Sequence, residues 1–231
     1  MQVGRKMGAA AIVALALLGA RAASAADDLN TVLAKLDRAA ESFHSTSAEF
    51  EFDTVQSYPV PDTEKQTGAV YYERSSGVFR MGIHVREVDG KPAPKVVVAA
   101  GGKIQMYEPM INQVTTLNKL SQYESWFMLG FGASGKDLKE KWEIKYQGKE
   151  TVGGVSADKL EMVPKDPAIR SKLPKVTVWM DSDRGVSMKQ HFDEGDGMYR
   201  DALYSDIKMN QSLPADAFSF KTNKSTTNVT K

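Results

Sequence analysis

Apolar residues recur at every second position in one short segment after another, and this pattern constrains the fold more than any other feature. Phe50 and Phe52 alternate with acidic residues, and Phe79, Met81 and Ile83 follow the same rule. Such alternation is typical of strands that bury one face. Roughly ten or eleven segments of this kind are separated by turn sequences such as VDGKPAP, VGG and DEGDG. Because parallel neighbours need long crossovers, these short connections predict one large antiparallel sheet.

Two segments depart from this pattern and predict helices. After a possible cap at Asp27 or Asp28, the first places a set of apolar residues at helical spacing: Leu29, Val32, Leu33, Leu36, Ala40 and Phe43. The second segment, YESWFMLGFGASGKDLKE, joins a dense apolar cluster to a capping box from Ser134 to Asp137. The predicted fold class is α+β, mainly β: a curved antiparallel half-barrel with an N-terminal helix and lid helices over its concave face.

The N-terminus has the organisation of a secretory signal peptide. Arg5 and Lys6 precede the apolar run AAAIVALALLGA, and an A-x-A site ends at Ala25. The run is shorter than the roughly 20 residues that span a bilayer. We therefore expect residues 1–25 to be a signal peptide, 26–220 a single half-barrel domain and 221–231 a polar tail. No cysteine follows Ala25, so the exported chain is predicted to be soluble and periplasmic, without a lipid anchor.

Composition excludes several classes of function. The 30 Lys and Arg residues balance 29 Asp and Glu residues, and no basic stripe indicates a nucleic-acid binder. The chain has no cysteine, which excludes disulfides, thiolate metal sites and a cysteine nucleophile. His44, His84 and His191 are scattered without metal-ligand spacing, and the acidic clusters fit hairpin turns. With no catalytic constellation either, we predict no catalytic residue, no metal and no cofactor, in a protein that is not an enzyme.

One motif suggests a nucleotide. Gly130, Gly135 and Lys136 have the spacing of a phosphate-binding loop, but Asp137 stands where Ser or Thr should bind magnesium. That loop also needs a strand–loop–helix context, whereas the strands here follow one another through short turns. A glycine hinge between two lid helices is the preferred interpretation.

The apolar faces of neighbouring strands, together with the lid, predict a hydrophobic cavity with a soft lining, since methionine is a flexible filler. The candidate residues for the cavity and lid are Phe50, Phe52, Tyr72, Phe79, Met81, Ile83, Met106, Trp126, Phe127, Met128 and Leu129. Taken singly, each is more often an ordinary core residue. In the last long strand, Tyr199, Leu203, Ile207 and Met209 are expected to share one side.

Five segments, in order along the chain, carry a family resemblance. The strongest is the hairpin GGKIQMYEPMINQVTT, through Gly102, Lys103, Tyr107, Pro109, Gln113, Val114 and Thr115. The others are SFHSTSAEFEF, ERSSGVFRM, WFMLGF and LPADAFSF. Together they resemble the LolA-type outer-membrane lipoprotein carriers. Ser75 stands in place of that family's proline, Met81 in place of a tryptophan, and the Pro-Gly after the final F-x-F is absent.

The resemblance implies a cavity that binds the acyl chains of lipoproteins. Such a monomeric carrier would take lipoproteins from an inner-membrane ABC transporter to an outer-membrane receptor lipoprotein, without nucleic acid. Arg74 stands where the family's latch arginine reaches backbone carbonyls of the lid. A related periplasmic module that binds another lipid, or senses mislocalised lipoprotein, is the alternative, and an uncharacterised hydrolase is a third class.

Overall fold

The computed structural model describes residues 28–75, 78–118 and 129–231. Within these ranges, the helices are α1 (28–41), α2 (Gly135–Lys141) and α3 (Pro167–Arg170). The strands are β1 (Ser45–Gln56), β2 (Asp62–Ser75), β3 (Val78–Val88), β4 (Lys91–Ala100), β5 (Lys103–Glu108), β6 (Gln113–Leu117), β7 (Trp142–Val152), β8 (Val155–Pro164), β9 (Lys175–Asp181), β10 (Val186–Gly195), β11 (Met198–Met209) and β12 (Thr227–Thr230). None of the helices in this part of the chain combines the length and the apolar character that crossing a bilayer requires.

All these strands join one sheet, in the order β12-β6-β5-β4-β3-β2-β1-β11-β10-β9-β8-β7. Neighbours are antiparallel, apart from β12 and β6, which run parallel. In the described chain β7 and β12 are the two edges, so the sheet is an open half-barrel. This confirms the predicted fold class. The strand count is higher than expected, in part because residues 227–230 form β12 within the segment predicted to be a polar tail.

Helix α1 covers one half of the concave face. Its apolar stripe, Val32, Leu33 and Leu36, is buried, as the helical spacing predicts. The stripe packs on a set of buried residues from β7, β8 and β9: Trp142, Leu160, Met162, Val176, Val178 and Met180. This half of the sheet is therefore closed by its own helix.

A bulge in β11 changes which residues face inward. Ala202 and Tyr204 are buried, while Leu203 is 42% exposed, so the prediction that Leu203 shares one side with Ile207 and Met209 is wrong. Ile207 and Met209 do pack against the core, as expected. The register shifts between Ser47 and Glu49 of β1, opposite this part of β11, and this irregularity reverses the alternation.

The C-terminal segment crosses the convex face before it reaches the sheet edge. A Cβ on Gly82 of β3 would lie 1.8 Å from the Ala217 carbonyl oxygen, so only glycine permits this approach. The Phe220 ring stacks on Tyr107 of β5, with 5.2 Å between ring centroids. The side chain of Asn112 then donates to Ser225, just before β12 pairs with β6. These contacts attach the chain end to the convex face, on the side of the sheet opposite α1.

Candidate functional site

The half of the concave face that α1 leaves uncovered carries a continuous apolar surface. Across the sheet, Ile83 lies opposite Val97, and Val97 lies opposite Met106. Phe52, Ile83 and Met106 are only partly buried. Antiparallel pairing places residues directly opposite each other on the same face, so these side chains line one surface. We call this half, from β1 to β6, the open half of the concave face.

The structure brings most of the predicted cavity residues together on the open half. Phe50, Tyr72, Phe79 and Met81 are buried there in one cluster, with Phe52 and Ile83 packed against it. Met106 shares their face through its pairing with Val97. The expectation that these residues bind a ligand stays a prediction.

The lid is described only in its second part. Trp126, Phe127 and Met128 lie outside the described residues. Leu129 is 1% exposed and packs in the cluster beneath α1, apart from the other predicted cavity residues. Leu129 is therefore a core residue of the covered half.

Residues 129–134, which we call the anchor segment, bind the sheet through three backbone carbonyls. Gln190 Nε2 donates to the Leu129 oxygen, and the Ser187 backbone N–H donates to the Gly130 oxygen at 2.7 Å. Arg74 Nη2 donates to the Gly132 oxygen, also at 2.7 Å. The guanidinium of Arg74 lies 5.8 Å from the centroid of the Phe43 ring. Arg74 is thus the one cation among these donors, which makes its bond the strongest of the three.

Phe131 fixes the middle of the anchor segment in an aromatic cluster. Its fully buried ring stacks on Tyr72 at 4.2 Å and meets Tyr204 edge-on at 4.9 Å. The Tyr204 hydroxyl donates to Gln190 Oε1, which links the ring cluster to the carbonyl bonds. Burial raises the pKa of Tyr72 and of Tyr204, so both hydroxyls stay protonated. The sequence placed Phe131 in the lid cluster but contained no signal for Tyr204 or Gln190, which belong to distant strands.

The glycines of this segment permit close packing. Gly132 has φ +72°, and a Cβ there would lie 2.6 Å from the Phe43 ring. A Cβ on Gly130 would lie 2.4 Å from Cβ of Ser187. Both positions therefore require glycine, Gly130 for contact with the sheet and Gly132 for contact with Phe43, which follows α1. The proposed hinge between two lid helices stays a prediction, since the first of those helices lies outside the described residues.

The phosphate-binding interpretation finds no support in the geometry. The Ser134 hydroxyl accepts from the Asp137 amide, as the predicted capping box requires. The carboxylate of Asp37, on α1, accepts from the Lys136 amide at 3.0 Å. Two of the N–H groups that would cradle a phosphate, those of Lys136 and Asp137, are therefore already bonded. Among the residues that the structure describes, no group of three or more His, Asp or Glu side chains is arranged to hold a metal ion.

Comparison with known proteins gives likeness at the level of the fold. No family model matches the chain. The uncharacterized protein MJ0687 of Methanocaldococcus jannaschii is 26% identical over 125 residues, which are 54% of this chain and 35% of that protein. The chain thus spans about a third of that curated relative.

Solved structures extend the likeness over most of the chain. An uncharacterized conserved protein from Thermus thermophilus has a TM-score of 0.54 at 11% identity, over 87% of this chain and 98% of that one. MucB has a TM-score of 0.51 at 15% identity, over 84% of this chain and 63% of that one. The similar structures include the LolA superfamily protein NE2245 from Nitrosomonas europaea, with a TM-score of 0.41 at 15% identity, over 83% and 97% of the two chains. The first two of these matches show a shared fold.

Proposed function

We propose that this protein binds the acyl chains of lipids or lipoproteins against the open half of its concave face. The observation that supports this proposal is the apolar surface shared by Phe52, Ile83 and Met106, which α1 leaves only partly buried. Each buried CH₂ group contributes about 0.8 kcal/mol, so an acyl chain offers ample binding energy to such a surface. The flexible side chain of Met106 can adapt to chains of different shape.

The finer proposal is a periplasmic carrier. After export, the protein would receive lipoproteins from an inner-membrane ABC transporter and pass them to an outer-membrane receptor lipoprotein. The resemblance of five sequence segments to LolA-type carriers supports this role. The open half of the concave face would also suit a periplasmic module that binds another lipid. The identity of the bound lipid distinguishes these two roles.

In this proposal Arg74 is the latch. Its bond to the Gly132 carbonyl ties the anchor segment to β2, next to the buried Tyr72 ring. A planar, permanently charged guanidinium suits this task, because it donates to carbonyls in a fixed geometry. Release of this bond would loosen the segment that continues into the predicted lid, and so admit or release cargo.

Mass spectrometry of lipids extracted from the purified protein tests the proposal. We expect phospholipid or acylated peptide at a fixed ratio to protein. Met106→Glu places a carboxylate in the apolar surface and should weaken binding of a fluorescent fatty acid by more than about tenfold. The matched control is Met110→Glu, since Met110 is 74% exposed and lies in the turn between β5 and β6.

Two outcomes would contradict the proposal. One is extracted protein that carries no lipid and binds no fatty acid. The other is a Met106→Glu protein that unfolds more easily yet binds the probe as tightly as before, which would make Met106 an ordinary core residue.

A further inference from the structure

The turns β1–β2 (residues 57–61) and β10–β11 (residues 196–197) lie side by side at one end of the sheet. The Ser57 backbone N–H donates to the Gly197 carbonyl oxygen at 2.8 Å. A Cβ on Gly197 would lie 3.8 Å from the Cβ of Tyr58. Residues 55–64 and 196–198 therefore form one surface, which we call the hairpin platform. It lies at the opposite end of β1 and β2 from Arg74.

Large apolar side chains stand out of the platform into solvent. Tyr58 is 75% exposed, Val60 67% and Met198 38%. Tyr58 and Val60 alternate with Pro59 and Pro61, whose rings restrict the backbone and lower the entropy lost on binding. Single exposed apolar residues are common on soluble proteins, but three within the hairpin platform form a patch.

A cleft opens next to this patch. Its volume is about 470 Å³, and the residues around it are Val55, Gln56, Ser57, Pro61, Asp62 and Thr63. The cleft is wide and open to solvent, with room for one or two side chains of a peptide. The wall combines the apolar surface of Val55 and Pro61 with the Asp62 carboxylate.

The exposed charges of the platform are acidic. Asp62, Glu64 and Asp196 are exposed. The neighbouring cations are already engaged, since Lys65 pairs with Glu51 at 2.9 Å and Arg200 pairs with Glu194 at 2.6 Å. An acidic surface repels both an anionic bilayer and a second copy of itself, and it attracts Lys or Arg.

We propose that the hairpin platform docks a segment of a partner protein in which an apolar side chain adjoins Lys or Arg. The apolar side chain fills the cleft beside Pro61, and the cation lies beside the Asp62 carboxylate in its wall. The face of the exposed Tyr58 ring offers the same cation a second favourable contact. This inference goes beyond acyl-chain binding and holds whatever cargo the concave face carries.

Calorimetry with synthetic peptides tests the docking site. The probes are three ten-residue peptides: alternating Leu and Lys, alternating Ser and Lys, and alternating Leu and Glu. We expect the Leu–Lys peptide to bind, and the other two to bind at least about tenfold more weakly. Tyr58→Ser with Val60→Ser, and separately Asp62→Lys, should each weaken Leu–Lys binding at least about tenfold.

Matched controls keep the outcome interpretable. Val78→Ser changes an exposed apolar residue at the other end of the sheet, and Glu140→Lys reverses an exposed charge on α2. Both should leave Leu–Lys binding within about twofold. Fatty-acid binding should stay unchanged in the platform variants, which separates a failure here from a failure of the lipid-binding proposal.

Three results would overturn the inference. The first is equal Leu–Lys binding by the wild type and the platform variants. The second is binding to phosphatidylglycerol vesicles that Tyr58→Ser with Val60→Ser abolishes, which would assign the platform to a membrane. The third is a dimer, seen by light scattering, that the same double change dissociates.

Discussion

Arg74→Leu should make the anchor segment open more often while the fold is retained. The change removes the 2.7 Å bond from Nη2 to the Gly132 oxygen and the contact between the guanidinium and the Phe43 ring. A hydrogen bond from a charged group contributes about 1.5–3 kcal/mol, and a cation–π contact about 0.5–1 kcal/mol. The loss is therefore about 2–4 kcal/mol, which favours local opening roughly thirty- to seven-hundredfold.

Hydrogen exchange read by mass spectrometry measures this opening. Amides of residues 129–134 should exchange roughly thirty- to seven-hundredfold faster in Arg74→Leu than in the wild type. The exchange rates of amides in β8 and β9 should change little. The exchange rate in Arg74→Lys should lie between those of the wild type and Arg74→Leu, because lysine keeps the positive charge but not the planar guanidinium. Dissociation of a fluorescent fatty acid should accelerate in the same order.

Arg80→Leu is the matched control. Arg80 also binds one partner, Glu73, and lies 4.5 Å from the Phe218 ring, but on the convex face. Arg80→Leu should lower the overall stability of the protein. It should not raise the amide exchange rate of the anchor segment more than that of the rest of the sheet. Equal exchange profiles for the wild type and Arg74→Leu, with unchanged fatty-acid release, would refute the latch.

Three further predictions concern packing, nucleotides and pH. Gly132→Ala should destabilise by about 1–3 kcal/mol more than Gly148→Ala in urea unfolding, because the new Cβ meets a ring at 2.6 Å at the first position and open space at the second. An equal loss of unfolding free energy in the two variants would show that the positive φ, and not the contact with the Phe43 ring, causes the destabilisation. Lys136→Ala should leave fatty-acid binding intact, and calorimetry should detect no Mg-ATP binding before or after the change; micromolar binding abolished by Lys136→Ala would restore the phosphate-loop interpretation. Burial, with a smaller effect from Asp158, raises the pKa of Tyr146 from 10.0 to about 12. A group whose pKa is raised on folding loses its stabilisation as pH rises between the two values, so stability should fall from pH 10 to pH 12. The urea midpoint should fall less steeply over this interval in Tyr146→Phe, and an unchanged slope would contradict the assignment.

Local pattern was enough to predict most of the strands and the first helix. Alternation identified the inward residues of β1 to β3, because the side-chain period of a strand is two and one face of the sheet is buried. Helical spacing identified the stripe of α1, and the pair Ser134 and Asp137 marked the start of α2. Each of these signals lies within a dozen residues and needs no knowledge of the rest of the chain.

Tertiary structure decided the features that depend on distant partners. The β11 bulge, which exposes Leu203, depends on the register between β11 and β1. The sequence of neither strand alone indicates it. The short strand β12 exists only because β6 leaves a free edge, and its own four residues have no clear apolar face.

The candidate site shows the same division. The sequence singled out the apolar faces and Arg74, but not which half of the sheet α1 covers or where the guanidinium would find its acceptor. Arg74 meets Gly132 across 58 positions of sequence, and Gln190 meets Leu129 across 61. Contacts between residues so far apart in sequence depend on the curvature and twist of the whole sheet. Each strand is rotated slightly relative to its neighbour, and these rotations accumulate only in the assembled sheet.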